Sequence, residues 1–96
     1  MTTTLHINTA VIPRQIDKLT DFLKLNLPNT RAANGCLSVR VKFNADTNQM
    51  VIDEVWTSID DHQAYVEKIS QNGVMDELLA FLDGEPSMTY YQTLDV

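Results

Sequence analysis

The chain predicts an α+β sandwich of order βαββαβ, with four antiparallel strands in one sheet and the helices packed on one face of it. Three observations lead there. Apolar and polar residues alternate with period two in the stretches beginning at Leu5, Leu37 and Met50; helical periodicity marks the stretches after Pro13 and after Ser58; and turn-forming residues stand at the joins. With 96 residues the chain suffices for one domain, 1–96, with a small core and little stability to spare.

The first strand is expected over Leu5, Ile7, Thr9 and Val11, alternating with His6, Asn8, Ala10 and Ile12, and it stops at Pro13. Proline has the φ of a first helical position, and Ile16, Leu19, Phe22, Leu23 and Leu27 then recur at helical spacing as far as Pro28. Asn29 to Gly35 reads as a loop. In the second strand Leu37, Val39, Val41 and Phe43 alternate with Ser38, Arg40 and Lys42. Asn44-Ala45-Asp46-Thr47-Asn48 is the hairpin connection. Its oxygen-bearing side chains faintly suggest a calcium loop, but the required glycine and the closing glutamate are missing, and turn residues bonding their own backbone explain the pattern better.

The third strand places Met50, Ile52, Glu54 and Trp56 on one face, since side chains two residues apart in a strand point the same way. Ser58 is a good N-cap, and Asp60 and Asp61 suit the positive end of the helix dipole. On that helix Ile59, Val66 and Ile69 form the inward side, His62 falls within the same arc, and Tyr65 lies at its edge. Asn72-Gly73 breaks or kinks the helix, and Val74, Leu78, Phe81 and Leu82 continue an apolar stripe to Gly84. A last strand, Met88 to Leu94, carries Tyr90 and Tyr91. The order is that of a ferredoxin-like fold.

If Leu5, Ile7, Leu37, Val39, Met50 and Ile52 face the helices, the other face of the sheet presents His6, Asn8, Ile12, Cys36, Arg40, Val51, Asp53 and Val55. That mixture has too much apolar area for simple solvation, so a homodimer is expected, with Arg40 and Asp53 as a candidate ion pair.

Composition excludes several classes of function. The net charge of −6 and the scattered basic residues argue against a nucleic-acid partner, and no stretch is long enough to cross a membrane. Met1-Thr2-Thr3-Thr4 lacks the basic and apolar segments of a secretory signal, so a cytoplasmic location is expected. The single cysteine, Cys36, permits no internal disulfide and reads as a small buried hydrophobe.

Pro13, the run Gly35-Cys36-Leu37-Ser38 and the run Glu54-Val55-Trp56-Thr57-Ser58, followed by a helix and a closing strand, resemble the antibiotic biosynthesis monooxygenase domain family over nearly the whole chain. The resemblance implies a dimeric α+β barrel. It implies oxygenation of phenolic or quinol compounds by dioxygen without metal or flavin, so no cofactor is expected. Trp56 matches the family's tryptophan at the end of the third strand, and Glu54 matches an acidic residue two positions before it. Tyr65 stands where the family often has a histidine, with His62 almost one turn earlier. A related branch degrades haem, but the asparagine that branch carries on its first strand falls on Ile7 here.

In such a reaction the deprotonated substrate itself reduces dioxygen, and the protein supplies a dry pocket, a base and hydrogen bonds. The catalytic candidates are His62 and Glu54. Trp56 is a candidate to stack on a small aromatic substrate, with Tyr65 and Tyr90 as hydroxyl donors. Each has a plainer role open to it: Trp56 as a core anchor, His62 as a packed histidine, and Glu54 bonded to Arg31, Lys42 or a backbone amide. A non-catalytic dimeric module holding a hydrophobic ligand or haem, and an isomerase on the same scaffold, are the alternatives.

Overall fold

A computed structural model describes residues 2–96. The elements are β1 (Thr3–Ala10), α1 (Ile16–Arg31), β2 (Cys36–Asn44), β3 (Gln49–Trp56), α2 (Ile59–Gln71), α3 (Val74–Leu79) and β4 (Ser87–Tyr91). The strands form one antiparallel sheet in the order β2-β3-β1-β4, the ferredoxin-like arrangement that the sequence predicts. Val11, Leu19, Val39, Met50, Ile52 and Leu82 make the core between sheet and helices, and Leu5 and Trp56 are also fully buried. Among the described residues no helix is long and apolar enough to cross a membrane.

Four boundaries depart from expectation, each for a local reason. Helix α1 begins at Ile16 rather than Pro13, because Gln15 N–H bonds to the Ile12 carbonyl and Arg14 takes a left-handed φ of 72°, closing a turn through which a helix cannot propagate. It also runs through Pro28 to Arg31. Proline forfeits the bond to the Lys24 carbonyl, but Lys24 and Pro28 are exposed, so water can take the place of the missing donor. Strand β1 spans Thr3–Ala10, with Val11 continuing only as a bridge to Leu82. Strand β4 ends at Tyr91, opposite Thr4 and one residue short of the start of β1, where the Thr3 hydroxyl donates to the Tyr91 carbonyl, and Leu94 is left exposed.

The start of β2 corrects the predicted faces. Cys36 pairs with Trp56 but Ser38 pairs with Val55, so Leu37 is the extra residue of a β-bulge. Cys36 therefore packs against the core, and Leu37 is 55% exposed. Arg40 stands opposite Asp53 in register, yet Asp53 pairs instead with Lys42 Nζ at 3.0 Å and approaches His6 Nε2 at 3.2 Å. In the hairpin the Asn44 carboxamide oxygen accepts from the N–H groups of Asp46 and Thr47, the turn chemistry expected of that segment. Helices α2 and α3 are separated at Gly73, whose φ of 88° suits glycine.

Candidate functional site

Strand alternation puts Glu54 and Trp56 side by side on the helix-facing side of β3, and the indole N–H reaches back to donate to Glu54 Oε1 at 2.8 Å. That bond satisfies a carboxyl group only 6% exposed, in place of the Arg31, Lys42 or amide partners considered from sequence. Arg31 donates to the Val39 carbonyl, and Lys42 is engaged by Asp53.

Helix α2 supplies the imidazole. Ser58 Oγ accepts from the Asp61 N–H, fixing where the helix begins, and so aims His62 inward at 2% exposure. Its ring meets the indole edge-on with centroids 5.2 Å apart, its Nε2 lies 4.0 Å from Glu54 Oε1, and its Nδ1 is 2.6 Å from the Tyr90 hydroxyl. Tyr90 is held there by β4, where it pairs with Leu5. Tyr65, one turn along α2, tilts against the indole at 5.4 Å and shares a 2.5 Å hydrogen bond with Thr30. The five residues singled out in the sequence thus converge.

Burial sets their charge states. Desolvation raises the Glu54 pKa above the ordinary carboxylate range, with the Trp56 hydrogen bond pulling the other way. It lowers that of His62, favouring neutral imidazole. Both tyrosines are raised, by burial first and by the Glu54 carboxylate after it. Burial likewise raises Cys36, which keeps it a thiol.

Beside this cluster lies a cavity of about 80 Å³ between the sheet, α1, α2 and α3. Its walls are largely apolar, among them Ile52, Val66 and Leu78, and its ionisable lining is Glu54, His62 and Tyr65. Trp56 and Tyr90 stand behind that lining. Trp56 is fully buried, with Tyr65 against its face and His62 at its edge, so it acts on the cavity through Glu54. Thr30 and Asn26 also line the space, and sequence reasoning missed both. Thr30 was hidden by reading a loop after Pro28; a helix carried one turn further would have placed it on the same side as Leu23 and Leu27. Among the described residues no group of three or more His, Cys, Asp or Glu is placed to hold a metal.

No protein-family model and no curated protein matches the chain by sequence. Among solved structures it is similar to a conserved protein from Methanosarcina mazei Go1, with a TM-score of 0.86 at 15% identity over 98% of this chain and 94% of the other. A Nitrosomonas europaea protein assigned to the antibiotic biosynthesis monooxygenases gives 0.85 at 14% identity, over 98% and 91%. One from Chloroflexus aurantiacus J-10-fl with the same assignment gives 0.73 at 21% identity, over 100% and 98%. The chain shares their fold from end to end.

Proposed function

We propose that the chain is a member of the antibiotic biosynthesis monooxygenase domain family and that it oxygenates a small aromatic, quinol or polyketide-like substrate with dioxygen. The carrying observation is the linked set Trp56, Glu54, His62 and Tyr90, which sets two buried ionisable groups on the wall of an otherwise apolar cavity. Several solved neighbours with that assignment support the reading through their fold.

His62 is the base. In the tautomer that donates Nδ1–H to the Tyr90 oxygen, Nε2 is free to take the proton of a phenolic or activated C–H group. Glu54, held by Trp56, stands 4.0 Å from that nitrogen and stabilises the imidazolium as it forms. The substrate carbanion or phenolate passes one electron to dioxygen, and the resulting pair combines to a peroxide. Loss of water then leaves a carbonyl. For a methylene such as that of anthrone, CH₂ and O₂ become C=O and H₂O, so all four electrons that dioxygen takes up come from the substrate and no outside reductant is consumed.

A volume of about 80 Å³ is smaller than the ~150 Å³ cavity that houses benzene. Substrate entry therefore requires side chains to move apart, and α3, a short helix with no buried residue, is the part of the wall least committed to the core. A porphyrin would need a far larger opening than this cavity offers, so the residues present do not fit a haem. A module that binds an apolar ligand without turnover would use the same space.

The working unit in this reading is a cytoplasmic homodimer. The outer face of the sheet exposes Tyr91, half-buried Val51 and Val55, and the bulged Leu37, an area suited to a second copy. The test is oxygen uptake with anthrone by wild type, His62→Ala and Tyr90→Phe. One dioxygen consumed per anthrone by wild type, with a loss of about 10²-fold or more in His62→Ala, is expected of a lost general base. Equal background uptake by all three would defeat the oxygenase reading, and saturable anthrone binding without uptake would select the non-catalytic module.

A further inference from the structure

Helix α1 separates two cavities. On its other flank, between it and the edge strand β2, lies a cleft of about 330 Å³ lined by Ile16, Thr20, Leu23, Lys24, Leu27, Arg31, and, from the sheet, by Val41, Phe43 and Met50. Leu23 and Leu27 line both spaces and form the partition. The cleft is about four times the volume of the cavity beside His62, and it is of the size that small-molecule sites have.

We propose that this cleft is a second binding site, for an unbranched amphipathic anion of the medium-chain fatty carboxylate type. Charge complementarity is the first ground. The protein carries thirteen acidic residues against seven basic ones, yet the cleft is lined by two of the basic residues and none of the acidic ones. Neither Lys24 nor Arg31 forms an ion pair among the described residues. Arg31 is also positioned in advance, because its Nη2 donates at 3.0 Å to the Val39 carbonyl and leaves the rest of the guanidinium fork free for a carboxylate.

Polarity along the cleft is the second ground. Lys24 and Arg31 are seven residues apart on α1, about 10 Å along its axis, and both stand in its C-terminal half. The other half, toward Ile16 and Thr20, is uncharged and is floored by Val41, Phe43 and buried Met50. Since β2 passes from Val39 near Arg31 on to Val41 and Phe43, head and tail have separate places: the carboxylate at Arg31 and Lys24, the hydrocarbon over Phe43 toward Ile16. Ile16 and Arg31 are about 22 Å apart along the helix, so the space is long and narrow and suits a chain better than fused rings. The site lies on the helix side of the sheet and does not depend on the oxygenase reading.

Calorimetric titration with sodium decanoate, decan-1-ol and decyltrimethylammonium tests it, with methyl NMR shifts to locate the ligand. One decanoate per protomer is expected, perturbing Ile16, Leu27 and Val41 and weakening as salt rises. Lys24→Gln and Arg31→Gln should each lower decanoate affinity about tenfold, the loss of one charge-assisted contact, while decanol binding stays as in wild type. Lys24 is exposed and its side chain forms no ion pair among the described residues, so its variant remains informative even if Arg31→Gln disturbs β2. Equal affinity for the cationic amphiphile, an unchanged Kd in Lys24→Gln, or shifts confined to Val66 and Ile69 beside the other cavity would each overturn the proposal. So would absence of decanoate binding together with a dimer that Val41→Glu dissociates, which would assign the cleft to a second copy.

Discussion

Replacing Trp56 by phenylalanine separates what the indole does by packing from what its N–H does for Glu54. The side chain is fully buried, and its N–H is the hydrogen-bond donor to a carboxyl oxygen that is itself nearly inaccessible. Losing a hydrogen bond to such a group costs about 1.5–3 kcal/mol, and the smaller ring leaves a void costing roughly 1 kcal/mol more. Trp56→Phe should thus lose about 2.5–4 kcal/mol of a total that for domains of this kind is ~5–15 kcal/mol. Urea unfolding of Trp56→Phe, Glu54→Leu and the double variant supplies the cycle. The double variant should be no less stable than Trp56→Phe alone, because removing both polar partners leaves neither one buried and unmatched.

The pH dependence has a definite sign. Burial already holds the Glu54 pKa above its unfolded value, so as pH rises past the ordinary carboxylate range the folded state retains a proton that the unfolded state has lost, and stability falls until the raised pKa is passed. The Trp56 bond opposes that rise; without it the pKa climbs further, and the deficit of Trp56→Phe widens once pH passes the raised pKa of the wild-type Glu54. Additive losses in the cycle, or a deficit that does not change with pH, would refute the claim that the indole N–H sustains the carboxylate.

Other perturbations test other parts of the structure. A Cβ at Gly35, where φ is 86°, would lie 2.5 Å from Asp61 Oδ2 and 2.6 Å from Thr57 Oγ1, so Gly35→Ala should cost about 2–4 kcal/mol in thermal unfolding. Gly84→Ala, with φ 94° but open space around it, should cost only about 1–2 kcal/mol. Leu19→Ala should lose about 3–5 kcal/mol because the side chain is fully buried, whereas Leu25→Ala, at 76% exposure, should stay within about 0.5 kcal/mol of wild type. If neutral His62 is the base, anthrone oxidation should fall as pH drops through a pKa below the ordinary histidine value, since burial depresses it. An acid limb at or above the ordinary value would assign the base elsewhere.

Much of this arrangement could be read from the chain before any coordinates. Alternation in β3 put Glu54 and Trp56 on one face, and the Ser58 cap set the phase of α2 that turns His62 inward. What escaped was governed by contacts remote in sequence or by single-residue irregularities. Cys36 and Leu37 exchanged faces because one bulged residue reverses every assignment before it, and no residue type there announces a bulge. Pro28 marked a helix end by local rule, but an exposed proline costs one solvent-facing bond and α1 continued to Thr30 and Arg31. Those two residues proved to belong to the two cavities.

Periodicity, caps and turn residues, all properties of neighbours along the chain, determined the element order, the ferredoxin-like class and the identity of the inward-facing polar groups. Tertiary structure alone decided their partners: which atom satisfies Glu54, that Tyr90 reaches His62, that Trp56 stands behind the cavity rather than on its wall, and that Lys24 and Arg31 share a cleft without acids. The reason is physical. Local patterns report which way a side chain points, but empty space and hydrogen-bond partners depend on how closely separate elements pack, and that is set by the sum of many distant contacts.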